Sequence, residues 1–327
     1  MTTVFLTGAS GFLGAHLLHQ LVAAGHDVRA LSRRPETDAA IAAAGATPLR
    51  ASLDDRAALQ STLHGCEAVF HAAADTSMWR PHAARQTATN VAGTENLLRA
   101  AEAAGVQAFM HTSSVSAWSH QVHGIIDESA EQLGGSSWIN YERSKFLGEQ
   151  LVRRSSLRWV VFNPSHILGP GDRHNWARLI MLIDRRKLPG IPPGVGAFAD
   201  VREVAAAQLR AWQRHCFGQR YVLGGEQASF VDLVHRVGKA LGRRTPRGAT
   251  PAWLLMSVAR LGDAWSRISG REPDITPESA ALTCHALRVD SSKARRELDY
   301  VEPALDRLLT DTLDWMRQQG MIGAEAM

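Results

Sequence analysis

The chain has 327 residues and a mass of 35.6 kDa, with 45% hydrophobic and 21% charged residues. Such a composition buries a sizeable core, which excludes disorder as the main state, and no apolar run reaches the length of a membrane span. Net charge is +4 with histidines neutral, but basic residues come only in short runs such as Arg33-Arg34 and Arg185-Arg186-Lys187. That suits an anionic small ligand and not nucleic acid, which calls for a dense basic stripe.

Strand and helix signals alternate through the first half. Val4-Phe5-Leu6 is a short apolar run that ends in a glycine-rich turn, and Leu13, Leu17, Leu18, Leu21 and Val22 follow at helical spacing until Gly25. A strand at 28–31, an alanine-rich helix at 38–44 and a strand at 47–50 come next. Asp54 or Asp55 opens a helix running to Leu63, and a buried strand follows at 68–71. A helix over 90–104, a strand at 108–111 ending in Thr112-Ser113-Ser114, a helix over 141–154 and a sixth strand at 159–162 complete the series. Repeated βα units of this kind predict an α/β fold, a doubly wound parallel sheet covered by helices on both faces. After Pro164 the chain turns rich in Pro and Gly and then mainly helical. The expectation is one unit over 1–164 with a returning segment at about 198–215, and a smaller, mostly helical, discontinuous substrate domain over 165–197 and 216–327.

The turn Thr7-Gly8-Ala9-Ser10-Gly11-Phe12-Leu13-Gly14 sits between the first strand and the first helix. Gly8 permits a tight turn, Gly11 lets backbone approach a pyrophosphate, and Gly14 lets helix pack on strand. The helix start adds free N–H groups and the positive end of its dipole. This is a dinucleotide site in its expected context. An acid after the second strand would hold the ribose hydroxyls of NAD, but the chain reads Leu31-Ser32-Arg33-Arg34. Arg33 and Arg34 can pair with a 2′-phosphate, so NADP(H) is expected over NAD(H).

Tyr141 and Lys145 stand four apart on a helix and share a face. A nearby ammonium favours the phenolate, so Lys145 is expected to lower the Tyr141 pKa and to hydrogen-bond the nicotinamide ribose. Ser114, at the carboxyl end of the fifth strand, can donate to a substrate carbonyl. Histidines show no HExxH pattern, so no metal site is expected, and His71 and His111 read as core residues. Cys66, Cys216 and Cys284 form no CxxC pair, and the amino terminus has no basic leader. Both suit a cytoplasmic location.

With these motifs in hand, the chain resembles an extended short-chain dehydrogenase/reductase of the NAD(P)-dependent epimerase/dehydratase superfamily. The dihydroflavonol-reductase-like and 3β-hydroxysteroid-dehydrogenase-like branch is the nearest. The likeness runs from Thr7–Gly14 through Val69-Phe70-His71-Ala72-Ala73-Ala74, Asn90-Val91-Ala92-Gly93-Thr94 and His111-Thr112-Ser113-Ser114. It continues through Tyr141/Lys145 and Asn163-Pro164-Ser165-His166-Ile167 to Asp200-Val201-Arg202 and Asp290-Ser291-Ser292-Lys293. The resemblance implies a Rossmann-type sheet, Tyr141 as general acid or base, Lys145 as its activator and Ser114 as carbonyl polariser. It also implies cofactor contacts from Thr7, Gly8, Ser10, Gly11, Phe12, Leu13, Gly14, Arg33, Arg34, Ser52, Leu53, Ala72, Ala73, Ala74, Asn90, Thr112, Ser113, Pro164, His166 and Ile167. Asn90 would brace the site through its helix backbone. One departure is Ser52-Leu53, where the family usually places an acid beside the adenine.

The implied reaction is reversible hydride transfer to a carbonyl. The Asp-Glu pair of sugar dehydratases is missing after Ser114, whereas Asn163 resembles an asparagine of some nucleotide-sugar epimerases, which keeps epimerase as the alternative. A non-catalytic NADP-binding regulator is a third reading, disfavoured because Tyr141 and Lys145 are both present. Trp118, Trp138 and Trp176 either border the site, which suits a hydrophobic ketone, or pack the interdomain core. The amphipathic helix over 251–268 is expected to pack into the small domain's core, with a peripheral membrane contact as the alternative. Family members often pair as homodimers through the helices around Asn90 and Tyr141.

Overall fold

The computed structural model describes residues 2–323. Its centre is a seven-stranded sheet made of β1 (Thr3–Thr7), β2 (Asp27–Ser32), β3 (Thr47–Arg50), β4 (Ala68–His71), β5 (Ala108–Thr112), β7 (Arg158–Pro164) and β10 (Gln219–Leu223). The remaining strands are β6 (Ile125–Ile126), β8 (His166–Leu168), β9 (Val195–Asp200), β11 (Glu226–Ser229) and β12 (Arg288–Val289). The sheet order is β10-β7-β5-β4-β1-β2-β3, and every pair in it is parallel. The chain builds outward from β1 to β3, then crosses over and builds outward from β4. The carboxyl ends of β1 and β4 therefore flank the switch point where this architecture opens a crevice.

Strands β4 and β5 are buried along their whole length, as two-sided coverage requires. One face carries Leu13, Leu17, Leu18 and Leu21 of the first helix, Phe12–Ala23, together with Val204 and Ala207 of the helix Val201–Gln213. The other carries Leu59 and Leu63 from Arg56–Leu63, and Leu97 and Ala101 from Gly93–Ala103. The forecast start at Asp55 is an N-cap, its carboxylate accepting from Ala58 N at 3.0 Å.

Two expectations about organisation change. The segment returning to the sheet does not stop near residue 215, because Gln219–Leu223 forms its edge strand and Ala294, Leu298 and Tyr300 pack into the same core. The second unit also contains a three-stranded sheet of order β11-β9-β8, packed with the helices Trp176–Asp184, Phe230–Ala240 and Leu305–Gln318 around Phe198, Phe230 and Leu309. Its longest strand reads VGAFAD, with few β-branched residues, so pattern reading passes over it.

Candidate active site

Gly8 has φ +78°, and a Cβ there would lie 2.7 Å from Ala73 N. A Cβ on Gly14 would sit 1.9 Å from Gly8 O, so the helix is locked against the turn. At Gly11 the contact within 4 Å is Gly8 O at 3.1 Å, which leaves its outer side open. No side chain caps the first helix, and Ser10 and Gly11 are exposed. Uncapped N–H groups around an open glycine make a cradle for a diphosphate, so the residues present fit a dinucleotide.

The Thr7 side chain turns inward. Ala73 N donates to Thr7 Oγ1 at 3.2 Å, and that hydroxyl lies 2.7 Å from His71 Nδ1. On the far side of the ring, His71 Nε2 lies 3.0 Å from Thr94 Oγ1, which donates to Asn90 O at 2.8 Å. Since Thr94 spends its proton on Asn90, His71 carries its proton on Nε2 and accepts from Thr7 at Nδ1. Burial, and then the charge of Lys145, push its imidazole down to about 3, which keeps it neutral. His111, stacked 5.4 Å from His71, is buried with neither ring nitrogen bonded among the described residues. Both are core residues, as expected.

At the adenosine end, Ser32 closes β2, with Arg33 and Arg34 exposed beyond it. Neither arginine side chain makes a hydrogen bond or ion pair among the described residues. The nearby acid, Asp38, is already engaged by Ser32 Oγ and by Arg50, which hold its carboxyl below the usual range. Ser52 Oγ donates to Asp54 at 2.5 Å, so a carboxylate stands two residues beyond Ser52, the position where the family's acid is missing. Leu53 is buried, its carbonyl taken by Asn96 at 2.9 Å.

The helix Asn140–Arg154 carries Tyr141 and Lys145. The Ser114 hydroxyl favours the ionised form of the Tyr141 phenol and accepts from Ser116 N at 3.1 Å. Lys145 is buried, with Nζ donating to Thr112 O at 3.1 Å. Burial lowers its ammonium to about 8, while the charge of Glu149 pulls the other way. The expected lowering of the phenol is not met. Burial pushes Tyr141 upward and only the Ser114 hydroxyl opposes that. The ammonium faces Thr112, not the phenol oxygen.

Asn90 braces the site by its side chain, not by backbone alone. Nδ2 donates to Asp75 O at 2.9 Å and Ser144 Oγ at 3.0 Å, and Oδ1 accepts from Asp75 N at 2.8 Å. The residue lies in a wide turn of π-helix, Ala88–Ala92, and a Cβ on Gly148 would approach its carbonyl to 2.7 Å. Ala73, Ala74, Asn90, His111, Ser144 and Lys145 border one narrow recess. Ser113 has its hydroxyl committed to Glu149 at 2.9 Å, and Thr112 Oγ1 pairs with Gln208. Pro164 is buried, Ile167 packs on the main core, and the His166 ring sits 5.1 Å from Trp176 in the second unit's aromatic cluster. Burial there lowers His166 to about 4.

Sequence reading missed two carboxylates. Glu142 is fully buried and accepts from Ser119 Oγ at 2.7 Å, His120 N at 2.6 Å and Ser137 Oγ at 2.5 Å. Glu149, also fully buried, accepts from Ser113, from Gln132 at 3.0 Å, from Asn163 at 2.8 Å and from Arg220 at 3.3 Å. The signal was present: Glu142, Lys145 and Glu149 recur at the i, i+3, i+7 spacing of one helix face. Glu149→Gln removes the anion that supports the Lys145 ammonium, so its pKa should fall below about 8. The alkaline limb of the kcat/KM profile should then move to lower pH, and a limb left in place would refute the coupling.

Tyr141 borders a cleft of about 160 Å³, lined also by Met78, Trp79, Trp138, Ile139 and Arg143, with Glu278 paired to Arg80 at its edge. The tryptophans divide: Trp138 lines the cleft, Trp118 is fully buried with Nε1 donating to Ala130 O, and Trp176 packs the second unit. Trp79 is a cleft residue that sequence reading did not single out. Asn163 is buried away from the cleft, its amide donating to Ser114 O and Glu149.

The family model described as the NAD dependent epimerase/dehydratase family matches residues 4–224. The chain belongs to this family. Sterol demethylase protein B of Methylococcus capsulatus is 31% identical, covering 98% of this chain and 100% of that one. The 4-hydroxy-2-methyl-3-oxo-4-farnesyl-3,4-dihydroquinoline-1-oxide ketoreductase of Stigmatella aurantiaca is 31% identical over 99% of this chain and 98% of its own length. Among solved structures, the crystal structure of gox2253 superposes with TM-score 0.84 at 30% identity, covering 99% of this chain and 100% of that one. As a member of the family the chain is an oxidoreductase of the alcohol–carbonyl type that uses a nicotinamide dinucleotide.

Proposed function

We propose that the protein is an NADPH-dependent reductase of a hydrophobic ketone, able to run in reverse as an alcohol dehydrogenase. The observation that carries this is Tyr141, its phenol acted on by Ser114, bordering a cleft that Met78, Trp79 and Trp138 also line. When bound, the nicotinamide ring supplies the hydride, or takes it back in the reverse direction. Ser114 donates a hydrogen bond to the carbonyl oxygen, and Tyr141 gives that oxygen its proton. A phenol pushed up by burial is protonated near neutral pH, which suits the role of acid. Lys145, at about 8, is mostly cationic there; its ammonium, held by Thr112 O and not by the phenol, would serve the nicotinamide ribose. The Gly8–Gly14 turn would hold the diphosphate, Arg33 and Arg34 would pair with a 2′-phosphate, and Ala73 and Ala74 would leave room for the cofactor beside Lys145.

One further feature supports this reading over an epimerase: Arg33 and Arg34, without a hydrogen bond or ion pair among the described residues, suit an exchangeable NADP(H). The relatives' names, a sterol demethylase protein and a farnesyl-bearing ketoreductase, agree with a lipophilic substrate. The test is NADPH consumption against a panel of lipophilic ketones. Product formed from a nucleotide sugar without net cofactor change would favour the epimerase instead. Arg33→Ala should weaken NADPH binding about tenfold or more while NADH binding barely moves, since a charge-assisted contact to phosphate is lost. Equal weakening of both would refute the cofactor preference.

A further inference from the structure

The helix Ala252–Ser269 does not pack its apolar side into the small domain. Its buried residues are Leu255, Ala259, Asp263 and Ser266, whereas Trp253, Leu261, Trp265 and Ile268 are 66–80% exposed, with Leu254 and Val258 exposed beside them. At 100° per residue these six large apolar side chains fall within an arc of about 140° that contains no charged residue. Arg260 and Arg267 border that arc on one side, and Arg271 follows the helix. Within the helix the acid is Asp263, buried and paired with Arg267 at 3.0 Å; past the helix, Arg271 is followed by the exposed Glu272 and by Asp274, which pairs with Arg178. Solvent-facing apolar surface on this scale marks a docking face.

We propose that this face docks on an anionic lipid surface. Its composition fits that occupant: aromatic rings at both ends of the helix suit the headgroup boundary, and a cationic rim meets lipid charge. No helix among the described residues is long and apolar enough to cross a membrane, so the contact is peripheral. The helix also adjoins the cleft: Trp79 Nε1 donates to Ser266 Oγ at 3.4 Å, and Glu278 of the next helix borders the same opening. Docking would set that opening close to the lipid. The docking argument stands on this surface alone and is independent of the reductase reading.

The experiment is co-sedimentation of the full chain with phosphatidylcholine vesicles, with and without phosphatidylglycerol. The wild type should bind the anionic vesicles and release in high salt. The double variant Leu261→Asp/Trp265→Asp should lose about tenfold or more in partitioning while its thermal midpoint and NADPH affinity stay put. No wild-type binding, equal binding to neutral vesicles, or undiminished binding of the folded variant would each overturn the proposal. So would a wild-type dimer that the double variant breaks into monomers without any vesicle binding, since the face would then belong to a second copy.

Discussion

Tyr141→Phe should lower kcat by about 10²- to 10⁴-fold, the range for losing a positioned general acid. The ring stays, so the cleft keeps its shape and cofactor affinity should change little. What disappears is the hydroxyl that Ser114 acts on and that carries the proton. Stopped-flow reduction under single-turnover conditions measures the chemical step directly. Turnover at the wild-type rate would mean that another group protonates the carbonyl oxygen, and the assignment of Tyr141 would fall. A companion loss in Ser114→Ala, not additive with the first, is expected from groups that act on one oxygen.

Gly14→Ala should destabilise the fold and the nucleotide site together. Its Cβ would stand 1.9 Å from Gly8 O and 2.5 Å from Gly8 C, and neither backbone atom can rotate aside as a side chain would. The first helix must therefore back away from the turn. Overpacking of this kind costs about 1–3 kcal/mol or more. Moving the helix start also pulls the N–H cradle away from the diphosphate. The expected result is a lower thermal midpoint together with loss of the stabilisation that NADPH gives the wild type. A Gly14→Ala protein with both values unchanged would show that the helix does not need to lie so close.

Much of the nucleotide-binding half was legible because local signals there agree. Gly8, Gly11 and Gly14 mark the turn, the run 68–71 reads as a buried strand and is one, and Tyr141 and Lys145 share a helix as their spacing predicts. What escaped is long-range. The edge strand Gln219–Leu223 joins the sheet beside β7, a pairing that no local window contains. Glu142 and Glu149 look like surface charges in a helix of low mean hydropathy, and only tertiary packing buries them among hydroxyls and amides. The direction of the Tyr141 pKa shift was misjudged for a related reason: spacing on a helix says which residues share a face but not that Lys145 would reach for Thr112 O. The helix Ala252–Ser269 reversed expectation because amphipathic periodicity gives the stripe and not what lies opposite it.

The relay from Ala73 through Thr7, His71 and Thr94 to Asn90 has a single polarity. Each hydroxyl or ring along it accepts on one side and donates on the other, so no member can be turned round without unseating its neighbours. An imidazole remote from the cleft is thereby held to one tautomer by the loop that follows β4 at one end and by the carbonyl of Asn90 at the other. The nucleotide crevice and the helix that supplies the proton are in this way built on a common footing, and an error of alignment in one is transmitted to the other.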